Sequence, residues 1–156
     1  SIVMKLIEKK MNLFEVDDKY YLAHCISADA GTDNRAMGLG IVVQFNKKFH
    51  MKAKIKEYAK SNNLKVGNAI LINRVFNLIT KSKYYGKPTY DTLRMSLESM
   101  RSQMIDKDIH YLAMPKLGSG LDRLQYGRVR SIIQDVFTGL DLEILVCKWY
   151  IDNEEN

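Results

Sequence analysis

The sequence predicts an α/β fold with a mixed, largely parallel sheet covered on both faces. Short β-rich runs alternate with stretches of helical period along most of the chain, and glycine-rich segments lie where strands give way to helices. Ile2 to Glu8 reads as a first strand, and the apolar run Tyr20 to Ile26 as a buried second one. A small-and-polar loop follows from Ser27 to Arg35. From Leu39 onward, Ile41, Phe45 and Phe49 fall four apart, as on one helix face, and the lysine-rich continuation to Lys60 reads as a second helical segment. Ala69 to Ile72 and Val75 to Lys81 read as strands joined by a turn at Asn73-Arg74. Thr89, after Pro88, is the expected N-cap of a helix whose stripe is Leu93, Leu97, Met100 and Met104. Such a methionine stripe reads as core packing. His110 to Met114 is a short strand, and a glycine-rich loop leads to a helix with Val129, Ile132, Ile133, Val136 and Phe137 inward. Leu142 to Trp149 closes the pattern as a last strand, followed by a polar tail from Ile151 to Asn156.

Length and composition bound the function. The chain of 156 residues is expected to form one domain over 1–156, and its 46% hydrophobic and 27% charged residues suit a soluble protein. Cys25 and Cys147 are the two cysteines, without CxxC spacing, which argues against a disulfide scaffold or a zinc site and suits a reducing cytosol. No apolar run approaches the ~18 residues of a membrane span, and no secretion signal is evident, so a cytoplasmic location is expected. The net charge of +6 favours anionic ligands. Lys47, Lys48, Lys52, Lys54, Lys56 and Lys60 concentrate it, read first as a solvated helix face and second as a nucleic-acid patch.

Two glycine segments stand out, Met37-Gly38-Leu39-Gly40 and Leu117-Gly118-Ser119-Gly120-Leu121-Asp122. Each lies between a strand and a helix. Glycines let the backbone approach a phosphate, and a helix N-terminus adds oriented N–H donors. Neither segment fits the GxGxxG dinucleotide fingerprint or the GxxxxGK[ST] phosphate loop. A carboxylate beside a phosphate cradle is electrostatically awkward, so Asp122 suits a ribose hydroxyl or general-base work, or else a turn or N-cap near Arg123. Lys81 ends a strand and reads as solvated unless burial or a cation such as Lys83 frees its amine to act as a nucleophile. His24 and Cys25 are adjacent, so on a strand they face opposite ways and form no nucleophile–base pair. His24 reads as a structural or loop-anchoring residue, and neither His50 nor His110 has metal-ligand spacing to it.

These residues together resemble macro domains of the terminal ADP-ribose protein glycohydrolase type. The resemblance rests on Leu22-Ala23-His24-Cys25-Ile26-Ser27, Met37-Gly38-Leu39-Gly40-Ile41, Leu78-Ile79-Thr80-Lys81, Lys87-Pro88-Thr89-Tyr90 and Met114 to Gln125, in the family's order and over nearly the whole chain. The same subfamily includes antitoxin macro domains that reverse ADP-ribosylation of DNA. The resemblance implies a three-layer α/β/α domain with about six strands and ADP-ribose in a cleft, its diphosphate between the two glycine loops. It implies Lys81 as the nucleophile that attacks the anomeric carbon of the distal ribose, and Asp122 as the residue that assists release. The implied ligand-binding set is Asn12, Leu13, His24, Ser27, Met37, Gly38, Gly40, Ile41, Thr80, Pro115, Leu117, Gly118, Ser119, Gly120 and Leu121, with no metal and no cofactor. The implied partners are ADP-ribose and ADP-ribosylated protein or DNA, met by a monomer with no membrane contact.

Two departures from the family matter. Its members usually carry Gly-Asp before Leu-Phe, with the aspartate reading the adenine amine. Here Met11-Asn12-Leu13-Phe14 offers an amide carbonyl, a weaker acceptor than a carboxylate. The loop Ala28 to Ala36 is longer than the family's and is expected to cover the distal ribose or meet the modified macromolecule. The reading is therefore an ADP-ribosyl hydrolase. The rivals are a reader of ADP-ribose without chemistry, a phosphatase for ADP-ribose 1″-phosphate, and a basic nucleic-acid-binding protein.

Overall fold

The structure, a computed structural model, describes residues 3–148. The strands are β1 (Met4–Lys9), β2 (Tyr21–Ser27), β3 (Ala69–Ile72), β4 (Val75–Lys81), β5 (Tyr111–Met114) and β6 (Leu142–Cys147). The helices are α1 (Ile41–Phe49), α2 (Met51–Ala59), α3 (Tyr90–Asp106) and α4 (Tyr126–Val136). The six strands form one sheet in the order β1-β6-β5-β2-β4-β3.

Connection length decides the strand directions. Only two residues, Asn73 and Arg74, join β3 to β4, and Asn73 takes the left-handed φ of 55°. So short a link permits only an antiparallel pair. The pairs β1–β6, β6–β5, β5–β2 and β2–β4 are all parallel, because longer crossovers intervene. The sheet is therefore mixed and largely parallel, as the alternation of elements predicts.

Burial follows position. In the central strand β4, every residue from Val75 to Thr80 is buried. Edge strand β1 instead alternates half-buried Met4, Leu6 and Glu8 with exposed Lys5, Ile7 and Lys9. Lysines on an edge discourage further strand pairing.

Side chains that alternate along β2 and β4 feed two cores. On one face Ala23, Phe76 and Leu78 meet Leu93, Leu97, Met100 and Met104 of α3 and Val129 and Ile133 of α4. On the other, Leu22, Ile26, Val75 and Ile79 meet Phe45 of α1 and Met51 and Ile55 of α2. These are the three layers of an α/β/α fold.

Helix boundaries have local causes. Thr89 caps α3: its hydroxyl accepts from Thr92 N at 3.0 Å, and Thr92 Oγ1 accepts from Thr89 N at 3.0 Å. A residue at φ 55°, His50, ends α1 and begins α2, so the expected continuation to Lys60 is a second, bent segment. The helix expected from Leu39 starts at Ile41, because Gly40 holds φ 79°. The expected first residue of β1, Ile2, lies outside the described residues, as do Trp149 and the polar tail from Ile151 to Asn156.

The lysine run is partly spent on tethering. Lys52 Nζ donates to the Asn34 carbonyl at 2.6 Å, and Lys56 Nζ to Asn34 Oδ1 at 2.8 Å. Lys54 Nζ donates to Asn73 Oδ1 at 2.9 Å. Helix α2 thereby fastens the long polar loop and the β-hairpin. Among the described residues no helix is long and apolar enough to cross a membrane.

Candidate active site

At the carboxyl ends of β2, β4 and β5 the chain leaves the sheet into loops, and a cleft of about 600 Å³ opens there. Parallel sheets place their ligand crevices at this end. Each wall has a sequence cause. One is the segment Met37-Gly38-Leu39-Gly40 running into α1. Gly40 is the N-cap of α1 and supplies no side-chain cap; Val43 N donates to the Gly40 carbonyl at 3.1 Å, and Ile41 and Val42 at the start of the turn line the cleft. The facing wall is Leu117, Gly118, Gly120, Leu121 and Asp122. Gly118 sits at φ +68°, and a Cβ there would lie 2.8 Å from Leu124 Cδ1. The turn closes through Leu124 N donating to the Gly118 carbonyl at 2.7 Å. Lys87 Nζ donates to the Leu121 carbonyl at 2.6 Å and ties this wall to the loop after β4.

Lys81 and Asp122, forty-one positions apart in sequence, meet in the cleft with Nζ 2.8 Å from Oδ1. Their side chains are only 16% and 14% exposed. Lys81 is thus paired and mostly covered rather than solvated. Cys25 lines the cleft beside them, and burial, with the Asp122 charge next, pushes its thiol up to about 12. A neutral thiol of that kind is a poor nucleophile.

Of the expected ligand set, Ser27, Met37, Gly38, Gly40, Ile41, Pro115, Leu117, Gly118, Gly120 and Leu121 line this cleft with Lys81 and Asp122. Asn12, Leu13, His24, Thr80 and Ser119 do not. Asn12 Oδ1 accepts from Phe14 N at 2.9 Å and caps a short 3-10 turn that buries Leu13. His24 is fully buried: Nε2 donates to Asn77 Oδ1 at 2.6 Å and the ring stacks on Phe45 at 3.9 Å. Burial pulls its pKa down to about 4, so it is a neutral core residue, on the opposite face of β2 from Cys25. Thr80 is buried, and its carbonyl accepts from Thr92 Oγ1 at 2.6 Å. Ser119 Oγ donates to the Lys116 carbonyl at 2.8 Å, which stiffens the loop from within.

The sequence reading missed Arg35, Tyr84 and Tyr85, which also line the cleft. Arg35 donates from Nε and Nη2 to both oxygens of Asp33, at 3.0 and 2.9 Å, and lies 5.2 Å from the Tyr84 ring centre. No spacing rule marks these residues. A signal was present only in Asp33-x-Arg35, an exposed pair two apart in a loop.

No family model matches the chain. It is 39% identical over 141 residues to the ADP-ribose glycohydrolase OARD1 of Bos taurus, with 88% of this chain and 87% of that protein covered. The Homo sapiens OARD1 is 38% identical over the same length and coverage. The chain belongs to the macro-domain ADP-ribose glycohydrolases. The macro fold is also that of the macrodomain of Thermus aquaticus DarG, at 20% identity and a TM-score of 0.81 over 93% of this chain and 99% of that one. The Thermosipho africanus DarTG in complex with ADP-ribose matches at 16% identity and a TM-score of 0.75, over 91% of this chain and 41% of that one. Within this macro domain, the glycine walls and the Lys81–Asp122 pair share a crevice at the carboxyl ends of the parallel strands.

Proposed function

We propose that this macro domain hydrolyses mono-ADP-ribose from a macromolecular carrier, using Lys81 as a covalent nucleophile and Asp122 as its proton partner. The observation that carries this reading is the 2.8 Å Lys81–Asp122 contact in a cleft between two glycine walls. The relationship to OARD1, named an ADP-ribose glycohydrolase, supports the activity, and the DarTG complex supports the ligand.

The diphosphate lies between the N-terminus of α1 and the Gly118–Gly120 turn, where N–H donors and the helix dipole favour negative charge. The distal ribose then reaches Lys81. A lysine must be neutral to attack, and Asp122 is close enough to take its proton. Nζ bonds to C1″ as the C1″–O bond of a glutamate or aspartate ester breaks, and the electron pair leaves with the carboxylate. Water next adds at C1″, the Nζ–C1″ bond breaks with its pair returning to nitrogen, and the water's spare proton goes to solvent. Asp122 finally returns the first proton to Lys81. The same attack serves a C1″ bonded to a DNA-base nitrogen or to an acetate oxygen, the base or the acetate leaving with the bonding pair.

The experiment is parallel incubation with a mono-ADP-ribosylated glutamate peptide and ADP-ribosylated DNA, followed by intact-protein mass measurement after rapid acid quench. Release of ADP-ribose and a transient adduct of one ADP-ribosyl group, both absent in Lys81→Ala, are expected. Normal release by Lys81→Ala would overturn the covalent route, and no release by the unmodified protein would overturn the activity.

A further inference from the structure

Asp29 lies in the long loop after β2 and is outside the reacting pair. Only 6% of it is exposed, in a loop otherwise mostly accessible. Each of its carboxylate oxygens holds one donor from a different segment. Oδ1 accepts from Ser27 Oγ at 2.5 Å, and Oδ2 accepts from Tyr84 N at 3.1 Å. Its backbone carbonyl accepts from Thr32 N at 3.0 Å and Asp33 N at 2.8 Å, which closes the short 3-10 turn Ala28–Gly31. One residue therefore joins the end of β2, the root of the long loop and the segment three residues beyond Lys81.

The strand register gives this junction its meaning. The β2–β4 ladder shifts between Ile26 and Ser27, so that Ser27 pairs with Lys81 rather than with Thr80. The bulge sets Ser27, 4% exposed, beside the lysine and on the cleft wall. Because the Ser27 proton is given to Asp29, the Ser27 oxygen presents lone pairs, not a donor, to whatever occupies the cleft next to Lys81.

We infer that Asp29 is a positioning residue: it fixes Ser27 as an acceptor for a hydroxyl of the distal ribose and pins the loop after Lys81 against β2. This rests on the proposed ADP-ribose reading and extends it to a residue that does not touch the ligand. Asp29→Asn tests it. An amide offers one acceptor where two donors converge. Its NH2 either opposes Tyr84 N–H or donates to Ser27 Oγ and turns the serine proton towards the cleft.

Calorimetric affinities of the unmodified protein, Ser27→Ala, Asp29→Asn and the double variant are compared for ADP-ribose and for ADP, which lacks the distal ribose. One lost neutral hydrogen bond corresponds to about three- to tenfold. Each single variant is expected to weaken ADP-ribose by that amount, the double variant by no more than the larger single effect, and ADP by none of them. Exchange of the Tyr84 amide should quicken in Asp29→Ala. Equal weakening of ADP and ADP-ribose, additive losses in the double variant, or unchanged affinity with unchanged Tyr84 exchange would each overturn the inference. Failure of the unmodified protein to bind ADP-ribose would instead count against the proposed ligand. The Tyr84 exchange would then still decide whether Asp29 pins the loop.

Discussion

Lys81 and Asp122 sit 2.8 Å apart although they are forty-one positions apart in sequence, because β4 ends where the glycine loop after β5 turns back. Both side chains are mostly covered there, and the proposed reaction rests on this pair. In the proposed reaction the proton passes across this contact from Lys81 to Asp122 before the amine attacks.

Replacing Asp122 by Asn removes that exchange and keeps the shape. The expected result is slow release without accumulation of the covalent adduct, since the Lys81 amine keeps its proton and cannot attack. Turnover should fall at least a hundredfold, the lower end of what a positioned acid–base group contributes. Affinity for free ADP-ribose should stay within a few-fold. Intact mass after quench, beside a steady-state assay, checks both halves.

Gly118 cannot carry a side chain without consequence. At φ +68° an alanine is strained, and its Cβ would stand 2.8 Å from Leu124 Cδ1. Left-handed backbone costs a non-glycine residue roughly 1–2 kcal/mol before the clash is counted. Gly118→Ala should therefore lower stability by about 2 kcal/mol and weaken ADP-ribose more than tenfold. Adding Leu124→Ala should not restore binding, because the backbone strain survives removal of the clash. Urea unfolding and calorimetry on the single and double variants distinguish the two causes.

His24 gives the protein an acid-side weakness. Burial holds its pKa near 4 against an ordinary 6.5, with Asn77 opposing that shift in part. The folded chain thus binds fewer protons than the unfolded chain between those values. The contribution is intact above about pH 6.5 and is lost as pH falls towards about 4, reaching about 2 kcal/mol by pH 5. Glu8, held below the usual carboxylate range by its hydrogen bond to Arg130, acts in the same sense at lower pH. His110, raised by the Asp141 carbonyl and Asp108, acts in the opposite sense, but it is exposed. Urea unfolding at pH 7 and pH 5 should show a loss about 2 kcal/mol smaller in a His24→Leu, Asn77→Leu double variant. Equal losses would remove His24 as the source.

The lysines of α2 anchor the long loop through Asn34. These contacts are exposed, so removing them should change global stability by less than about 1 kcal/mol. Local opening is another matter. A Lys52→Ala, Lys56→Ala variant should be cut by trypsin after Arg35 several times faster than the unmodified protein, with little change in midpoint of unfolding. Mass spectrometry of the first fragments reads the site.

Much of the architecture was legible in the sequence because it depends on short-range pattern. The boundaries of β3 and β4, the turn at Asn73-Arg74, the Thr89 cap and the α3 stripe all follow from spacing within a few residues. The glycine walls were legible for the same reason, since a Gly-x-Gly between a strand and a helix carries its own backbone requirement. Asp122 was marked by its place directly after the second glycine segment, whereas the role of Lys81 as a nucleophile came from the resemblance to a known family.

Other features needed the tertiary structure. The sequence marked His24 as structural and the family pattern marked it as a ligand contact. Register decided between them, placing His24 opposite Asn77 and against Phe45, away from the cleft. Asp29 looked like one polar residue in a polar loop. Only the bulge that sets Ser27 beside Lys81, and the approach of Tyr84, made it a junction of three segments. The lysine run likewise reads as uniform charge until Asn34 is found under two of its members. By itself the sequence determined which segments are strands and helices and which loops must be glycine. The tertiary structure decided which charges meet, because a contact between residues tens of positions apart is fixed by strand order and register, and neither is encoded in the spacing along the chain.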